Sequence, residues 1–416
     1  MNLHTPKSTI HPSVDDFNEA LCDLIARSIS ESPQRCITFA QYMELVLYHP
    51  QHGYYNTKAI DIGQQGDFFT SPHLGADFGE LLAQQFMQMW EILGQPKCFT
   101  LVEMGAGQGI LAADILRYLN QHYADFVTAL KYVIVEKSST LQQQQQQYLK
   151  NLPVQWCSLE EIPNNSIVGC CFSNELVDAL PVHQFIIEAG QLREIYVTTQ
   201  EASSNPLPFV EVIGVSTPRL AEYFDLVKIA LPSSAYPDGY RSEVNLAALD
   251  WLETVASKLQ RGYLLTIDYG YAAARYYNPE RSQGTLQCYY QHLHHNDPYI
   301  NIGRQDITAH VDFTALENWG QLCGLDNLGF TQQGLFLMAL GLGDAFGGLR
   351  QRIATLANTS QASTPQDISS LLQKRDALHQ LIEPTGLGNF GVLVQTKGLT
   401  DTEMSCCLRG FQAPTL

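Results

Sequence analysis

The chain has 416 residues, is 45% hydrophobic and 16% charged, and carries a net charge of -18. That length exceeds one minimal domain and supplies ample material for a large core. The acidic balance repels phosphate, which excludes sequence-independent nucleic-acid binding by the chain as a whole and suits small molecules or a cationic protein. No apolar run approaches the roughly 18–20 residues that span a bilayer. Residues 1–16 lack the features of a signal or transit peptide, so the expected location is cytoplasmic. The ten cysteines include the adjacent pairs Cys170-Cys171 and Cys406-Cys407 and no C-x-x-C, and are read as reduced thiols.

In chain order, Thr38-Phe39-Ala40-Gln41 has the form of a capping box, opening a helix that stops near Pro50. Residues 66–72 form a polar loop with two aromatics, and 78–93 a second amphipathic helix closed by Gly94 and Pro96. Five strands follow, at 99–103, 132–136, 154–157, 167–173 and 263–268, with helices at 110–119, 138–149 and 245–259 between them. Residues 142–147 are six consecutive glutamines, read as a solvated helix face. Continuous apolar strands alternating with helices predict an α/β protein with a doubly wound, mostly parallel, Rossmann-like sheet. Segments 182–187 and 192–197, flanking Ala189-Gly190, predict a hairpin, which with 209–215 makes an all-β insertion. Residues 269–308, rich in Tyr, His and Gly, are a candidate lid. A helix at 312–323 and strands at 334–340 and 390–396 close the chain. The expected organisation is an N-terminal helical extension (1–65), a first part of the core (66–181), a β-rich insertion (182–240), a second part of the core (241–400) with the lid-like 269–308, and a tail (401–416).

Chemistry enters with Glu103-Met104-Gly105-Ala106-Gly107-Gln108-Gly109, which follows a strand and opens a helix. Glycines there let a ligand approach the backbone. A dinucleotide fingerprint would put its third small residue at Ile110, and no Lys-Ser or Lys-Thr follows as in a P-loop. The spacing E-x-G-x-G-x-G is motif I of S-adenosylmethionine-dependent methyltransferases. Glu103 sits where a carboxylate meets an ammonium- or sulfonium-bearing ligand. Glu136, ending the second strand, is placed to accept both ribose hydroxyls. Ser158 and Leu159 are expected beside the adenine ring, Asn174 against the donor, and Thr70 and Ser71 closing over it. Glu175 and Asp178, taken as i,i+3 neighbours on one helical turn, are the candidates for holding the acceptor. Cys288, His292, His294, His295 and His310 do not have the spacing of a metal site, and no metal is expected.

These residues belong to a longer series of blocks. They include Leu47-Tyr48-His49-Pro50, Gly53-Tyr54-Tyr55, Gly66-Asp67-Phe68-Phe69-Thr70-Ser71-Pro72, Asn174-Glu175-Leu176 with Asp178-Ala179-Leu180-Pro181, Ile267-Asp268-Tyr269-Gly270 and Gln305-Asp306-Ile307-Thr308-Ala309-His310. In these the chain resembles the MidA-like methyltransferases, the group containing the mitochondrial complex I assembly factor that methylates a protein arginine. His73 departs from the glutamate that many relatives carry there. The resemblance implies a class I methyltransferase fold, S-adenosyl-L-methionine as methyl donor, and an arginine on a respiratory-complex subunit as acceptor. It leaves one competing reading, a non-catalytic assembly factor that keeps the fold as a scaffold. The expected partners are a protein substrate, without nucleic acid or a membrane span; oligomeric state is open, with a homodimer among the expectations.

Overall fold

The computed structural model describes residues 18–57, 70–200, 208–291, 293–358 and 365–413. Its centre is a sheet whose middle strand, β4 (Ile167–Asn174), buries every residue from Gly169 to Ser173. Only a strand covered on both faces can afford that pattern. The other strands are β1 (Phe99–Met104), β2 (Leu130–Val135), β3 (Val154–Cys157), β5 (Leu259–Asp268), β6 (Asp326–Gln332) and β7 (Gly391–Lys397). They are ordered β6-β7-β5-β4-β1-β2-β3, and only β7 runs against its neighbours. The fold is therefore the class I methyltransferase type of α/β architecture, as expected. Chain order reverses beside β1, where open α/β sheets form their ligand crevice. Register levels the strand ends: Met104 lies opposite both Val135 and Ser173, and Ile267 opposite Asn174.

Helices α1 (Glu19–Glu31) and α2 (Phe39–Tyr48) form the N-terminal extension, and Thr38 and Gln41 make the capping box read from the sequence. Helices α3 (Asp77–Ile92) and α4 (Ile110–His122) cover one face of the sheet, packing Phe78, Phe86 and Ile115 on Leu101, Cys170 and Phe172. Each side chain so buried contributes about 1.5–3 kcal/mol. Helix α5 (Ser139–Tyr148) connects β2 to β3. Helices α7 (Leu246–Lys258) and α8 (Phe313–Leu322) cover the opposite face through Val102, Cys171 and Leu264, residues one step out of phase with the first set.

Four expectations change. The insertion is not all β: Pro218–Val227 is a helix, α6, starting at an N1 proline and burying Leu220, Tyr223, Phe224 and Val227. That i, i+3, i+4, i+7 spacing is helical. The hairpin does form, between His183–Glu188 and Gln191–Thr199, turning through positive φ at Ala189 and Gly190. Its sheet also takes in Phe209–Val215, Arg241–Val244 and the short Ile37–Thr38 of the extension. Residues 334–340 belong to a helix, α9 (Gln333–Leu340), because an apolar run of this length has no decisive period and here it packs against other helices. The segment 269–308 is built from short paired strands: Gly270–Tyr271 beside Val311–Asp312, and Gln287–Tyr290 between Leu293–His295 and Asp306–Thr308. Finally, Gln145 within the glutamine run is fully buried, although Gln143, Gln144, Gln146 and Gln147 are exposed.

Candidate functional site

A cavity of about 540 Å3 opens beyond the carboxyl ends of β1, β2 and β4. Among the described residues that line it, Glu103, Glu136, Glu175, Asp178 and Asp306 are acidic, and none is a lysine or arginine. Buried carboxylates are costly unless they are paired or hydrogen-bonded.

At the sheet end, β1 delivers Glu103 and then a loop in which Gly105 and Gly107 both adopt positive φ. The Gly105 N–H donates to the Val135 carbonyl at 3.0 Å, fixing the loop across the end of β2. A Cβ on Gly105 would meet only the tip of Leu176, Cδ1, at 2.8 Å, so it is the backbone at φ 71 that favours glycine there. A Cβ on Gly107 would meet no atom of the described residues within 4 Å, and Gly107 lines the cavity. Glu103 is buried, accepts a hydrogen bond from the Tyr132 hydroxyl at 2.6 Å, and is pushed up to about 7 chiefly by burial. Glu136 follows β2; its Oε1 accepts from the Ser138 N–H at 2.9 Å and its Oε2 from Gln145 Nε2 at 3.0 Å. The same Gln145 amide donates to the Gly107 carbonyl at 2.8 Å, and its Oε1 accepts from Trp156 Nε1 at 3.0 Å. One buried glutamine thus ties the glycine loop to the acid beside it.

At the end of β4 the chain kinks through Glu175, a non-glycine residue at φ 51. Glu175 and Asp178 do not share a helical turn, since the helical geometry, a 3-10 turn, starts only at Val177. Asp268, ending β5, shapes the segment instead: its Oδ2 accepts from the Val177 and Asp178 N–H groups at 2.9 and 3.3 Å, and its Oδ1 from Tyr269 N–H at 2.9 Å. Glu175 is half-buried and lines the cavity. Burial and the neighbouring Asp178 push it up to about 8, against a hydrogen bond from Asn174 Nδ2 at 3.1 Å and the backbone of Ser71. Asp178 and Asp268 are both raised, chiefly by burial. Asn174 Oδ1 and Asp178 Oδ1 are buried without a hydrogen-bond partner. Unmet acceptors at a cavity wall suit a donor-rich, cationic ligand.

The far wall comes from distant segments. Tyr48 and Tyr55 of the extension, Tyr269, Tyr271, Tyr289, Asp306 and His310 of the segment after β5, and Thr385, Gly386, Leu387, Asn389 and Phe390 before β7 all reach the cavity. The Tyr48 hydroxyl donates to the Ala179 carbonyl at 2.8 Å, and the Tyr55 hydroxyl to both Asp306 oxygens at 2.9 Å. His310 stacks on Tyr271, with centroids 5.0 Å apart, and is pushed down to about 4 by burial and then by Arg281 and Arg275. The extension is stapled to the start of α5 by Ser138 Oγ donating to the Tyr55 carbonyl at 2.6 Å and Thr140 Oγ1 to that of Asn56 at 2.9 Å.

Of the residues picked from the sequence, the cavity gathers Thr70, Glu103, Gly105, Gly107, Glu136, Asn174, Glu175 and Asp178. It does not gather Ser71, Gly109, Ser158 or Leu159. Ser71 is buried with its hydroxyl against Gln333. Gly109 begins α4 with positive φ, and a Cβ there would press on Leu149 at 3.1 Å. The Ser158 N–H donates to Glu161 Oε2 at 2.8 Å, and Leu159 packs on the core beneath β1. Residues 66–69 and His292 lie outside the described residues. Tyr48, Tyr55, Tyr289, Asp306 and His310 were not picked as site residues. The signal for most of them was a tyrosine or aspartate inside a polar, Gly- or Pro-punctuated stretch, where burial is otherwise hard to justify.

Residues 81–331 match the family model of the S-adenosyl-L-methionine-dependent methyltransferases. The chain is 31% identical over 336 residues to the mitochondrial protein arginine methyltransferase NDUFAF7 of Mus musculus, spanning 74% of this chain and 71% of that protein. It is 30% identical over 347 residues to the mitochondrial NDUFAF7 homolog of Drosophila melanogaster, spanning 76% and 74%. A crystal structure of a Burkholderia thailandensis protein described as a methyl transferase, bound to S-adenosyl-homocysteine, superposes with a TM-score of 0.77 at 30% identity over 94% of each chain. One expectation is overturned: these curated relatives are mitochondrial by name, so the cytoplasmic reading does not stand.

Proposed function

The chain belongs to the family of S-adenosyl-L-methionine-dependent methyltransferases, and from that premise we propose that it methylates an arginine side chain of a protein. The single observation behind the acceptor reading is a cavity with five carboxylates and no lysine or arginine among its described lining residues. The donor's sulfonium and ammonium groups and an acceptor guanidinium are all cations. The names of the curated relatives agree with it. The finer reading, an arginine on a respiratory-complex subunit, rests on the family resemblance.

When bound, S-adenosyl-L-methionine supplies a methyl group already activated on sulfur; the protein aligns the acceptor with it and excludes water. In this reading Gly105 and Gly107 let the donor lie against backbone, Glu136 takes the ribose hydroxyls, and Glu103, Asn174 and Thr70 line the same end. Glu175 and Asp178 hold the guanidinium, whose charge persists at neutral pH. Alkylation of a guanidinium nitrogen releases one proton. Glu175, with a pKa of about 8, can take it in its ionised form, whose share grows as pH rises toward that value.

The test is to incubate the chain and isotopically labelled S-adenosyl-L-methionine with protein from cells lacking the chain, then hydrolyse and separate the amino acids. Label in methylarginine supports the proposal. Label in another residue refutes the acceptor assignment, and no transfer despite donor binding favours the scaffold reading.

A further inference from the structure

We propose that the acceptor's guanidinium is seated between Asp178 and Asp306 against the rings of Tyr48, Tyr55 and Tyr289, with Tyr55 positioning the Asp306 carboxylate. The inference rests on the methyltransferase reading and deepens it, moving half of the acceptor site off the sheet and onto the far wall.

Asp306 is 2% exposed and Asp178 5% exposed, and both line the cavity. They come from unrelated parts of the chain, the strand Asp306–Thr308 and the 3-10 turn after β4. Asp306 is aimed rather than free: the Tyr55 hydroxyl donates to both of its oxygens, and the Ile307 N–H donates to Oδ1 at 2.9 Å. Tyr269 hydrogen-bonds to the Asp178 carboxyl, while Asp178 Oδ1 is buried without a partner among the described residues. Tyr289 is the cross-strand neighbour of Asp306. Tyr48 and Tyr289 line the same cavity as the two acids; burial, and then the charges of Asp178 and Asp306, push both hydroxyls up. Tyr48 and Tyr55 have centroids 5.3 Å apart and rings tilted by 31°.

A planar cation with several donors in a fixed fork matches this arrangement. It can bond one carboxylate along each edge and lay its face on an aromatic ring. A lysine ammonium, compact and strongly hydrated, has no planar fork to pair with a carboxylate along each edge. The subsite therefore selects guanidinium over primary amine.

The full chain, saturated with S-adenosylhomocysteine, is titrated by calorimetry with N-acetyl-arginine methylamide and with N-acetyl-lysine methylamide. The arginine probe should bind the wild type at least about 10-fold more tightly than the lysine probe. Asp306→Asn should weaken the arginine probe by about 10-fold or more, and Tyr55→Phe by about 3-fold. Asp306→Glu should restore part of the loss, which a purely structural role for Asp306 would not allow. S-Adenosylhomocysteine affinity should stay within about 3-fold throughout. If Asp306→Asn does not fold, Tyr55→Phe, which keeps the ring, decides the matter. Undiminished arginine binding in the variants, equal loss of both ligands, or no arginine binding by the wild-type complex would overturn the subsite. Failure of S-adenosylhomocysteine to bind the wild type would instead remove the methyltransferase reading beneath it.

Discussion

At one end of the cavity, Glu103, Gly105, Gly107 and Glu136 come from two neighbouring parallel strands and the turns that follow them. At the other, Tyr48, Tyr55, Tyr289 and Asp306 are gathered across some 250 residues of chain by packing between the extension and the strands after β5. The first end is held by backbone register and by one buried glutamine. The second is held by side-chain hydrogen bonds and aromatic contacts. Register-held geometry should fail abruptly when its backbone is disturbed. Side-chain geometry should degrade by degrees.

The largest expected effect lies at the sheet end. Gly105→Val puts a branched side chain at φ 71 and a Cβ 2.8 Å from Leu176. It should weaken S-adenosylhomocysteine binding by about 100-fold or more, read by calorimetry, with circular dichroism confirming the fold. Retained binding would mean that the loop is not the donor's cradle.

Next comes Glu136→Gln. It keeps the shape but loses the charge, and donor affinity should fall by about 10-fold or more. An unchanged isotherm would remove the acid from the donor site.

Glu175→Gln probes the junction of the two ends. With a pKa of about 8, well above the ordinary carboxylate value, this group is mostly neutral at pH 7 and gains charge as pH rises. Acceptor methylation should therefore climb from about pH 6 to 8 in the wild type, and the variant should lose about 10-fold in rate and much of that climb. Stability runs the other way. A raised carboxyl pKa means stability present below the ordinary carboxylate pKa and lost as pH rises through about 8. The variant should melt higher than wild type at about pH 8.5 and match it at about pH 5. A pH-independent difference in melting temperature would contradict the assignment of that pKa.

The smallest effect is expected at Ser158→Ala, outside the cavity lining, where donor affinity should move by less than about 2-fold. A larger loss would carry the donor end further along β3 than the cavity extends.

The same contrast explains what could be read in advance. The parallel sheet, its motif loop and Glu136 were legible because strand, turn and helix follow one another in sequence, and each carries its own periodicity. The helix at Gln333–Leu340 was not: an evenly apolar run looks the same as strand or helix until a partner surface selects one. Gln145 was hidden inside a homopolymeric run, where nothing distinguishes the one buried glutamine from its exposed neighbours. Asp306 and Tyr55 lie in separate motif blocks, and their meeting is a property of tertiary packing with no local trace. Glu175 and Asp178 were placed near the acceptor on the assumption of a helical turn. They reach the cavity by a left-handed kink that Asp268 braces from the next strand.

The paired staples from Ser138 and Thr140 to the carbonyls of Tyr55 and Asn56 bear on what counts as the working unit. A fragment trimmed to the seven-stranded sheet would keep the glycine loop and lose two tyrosines of the opposing wall, leaving the cavity open to water on that side. Residues 48–56 thus belong to the wall of the cavity as much as the sheet does, fastened just beyond the acid that follows β2.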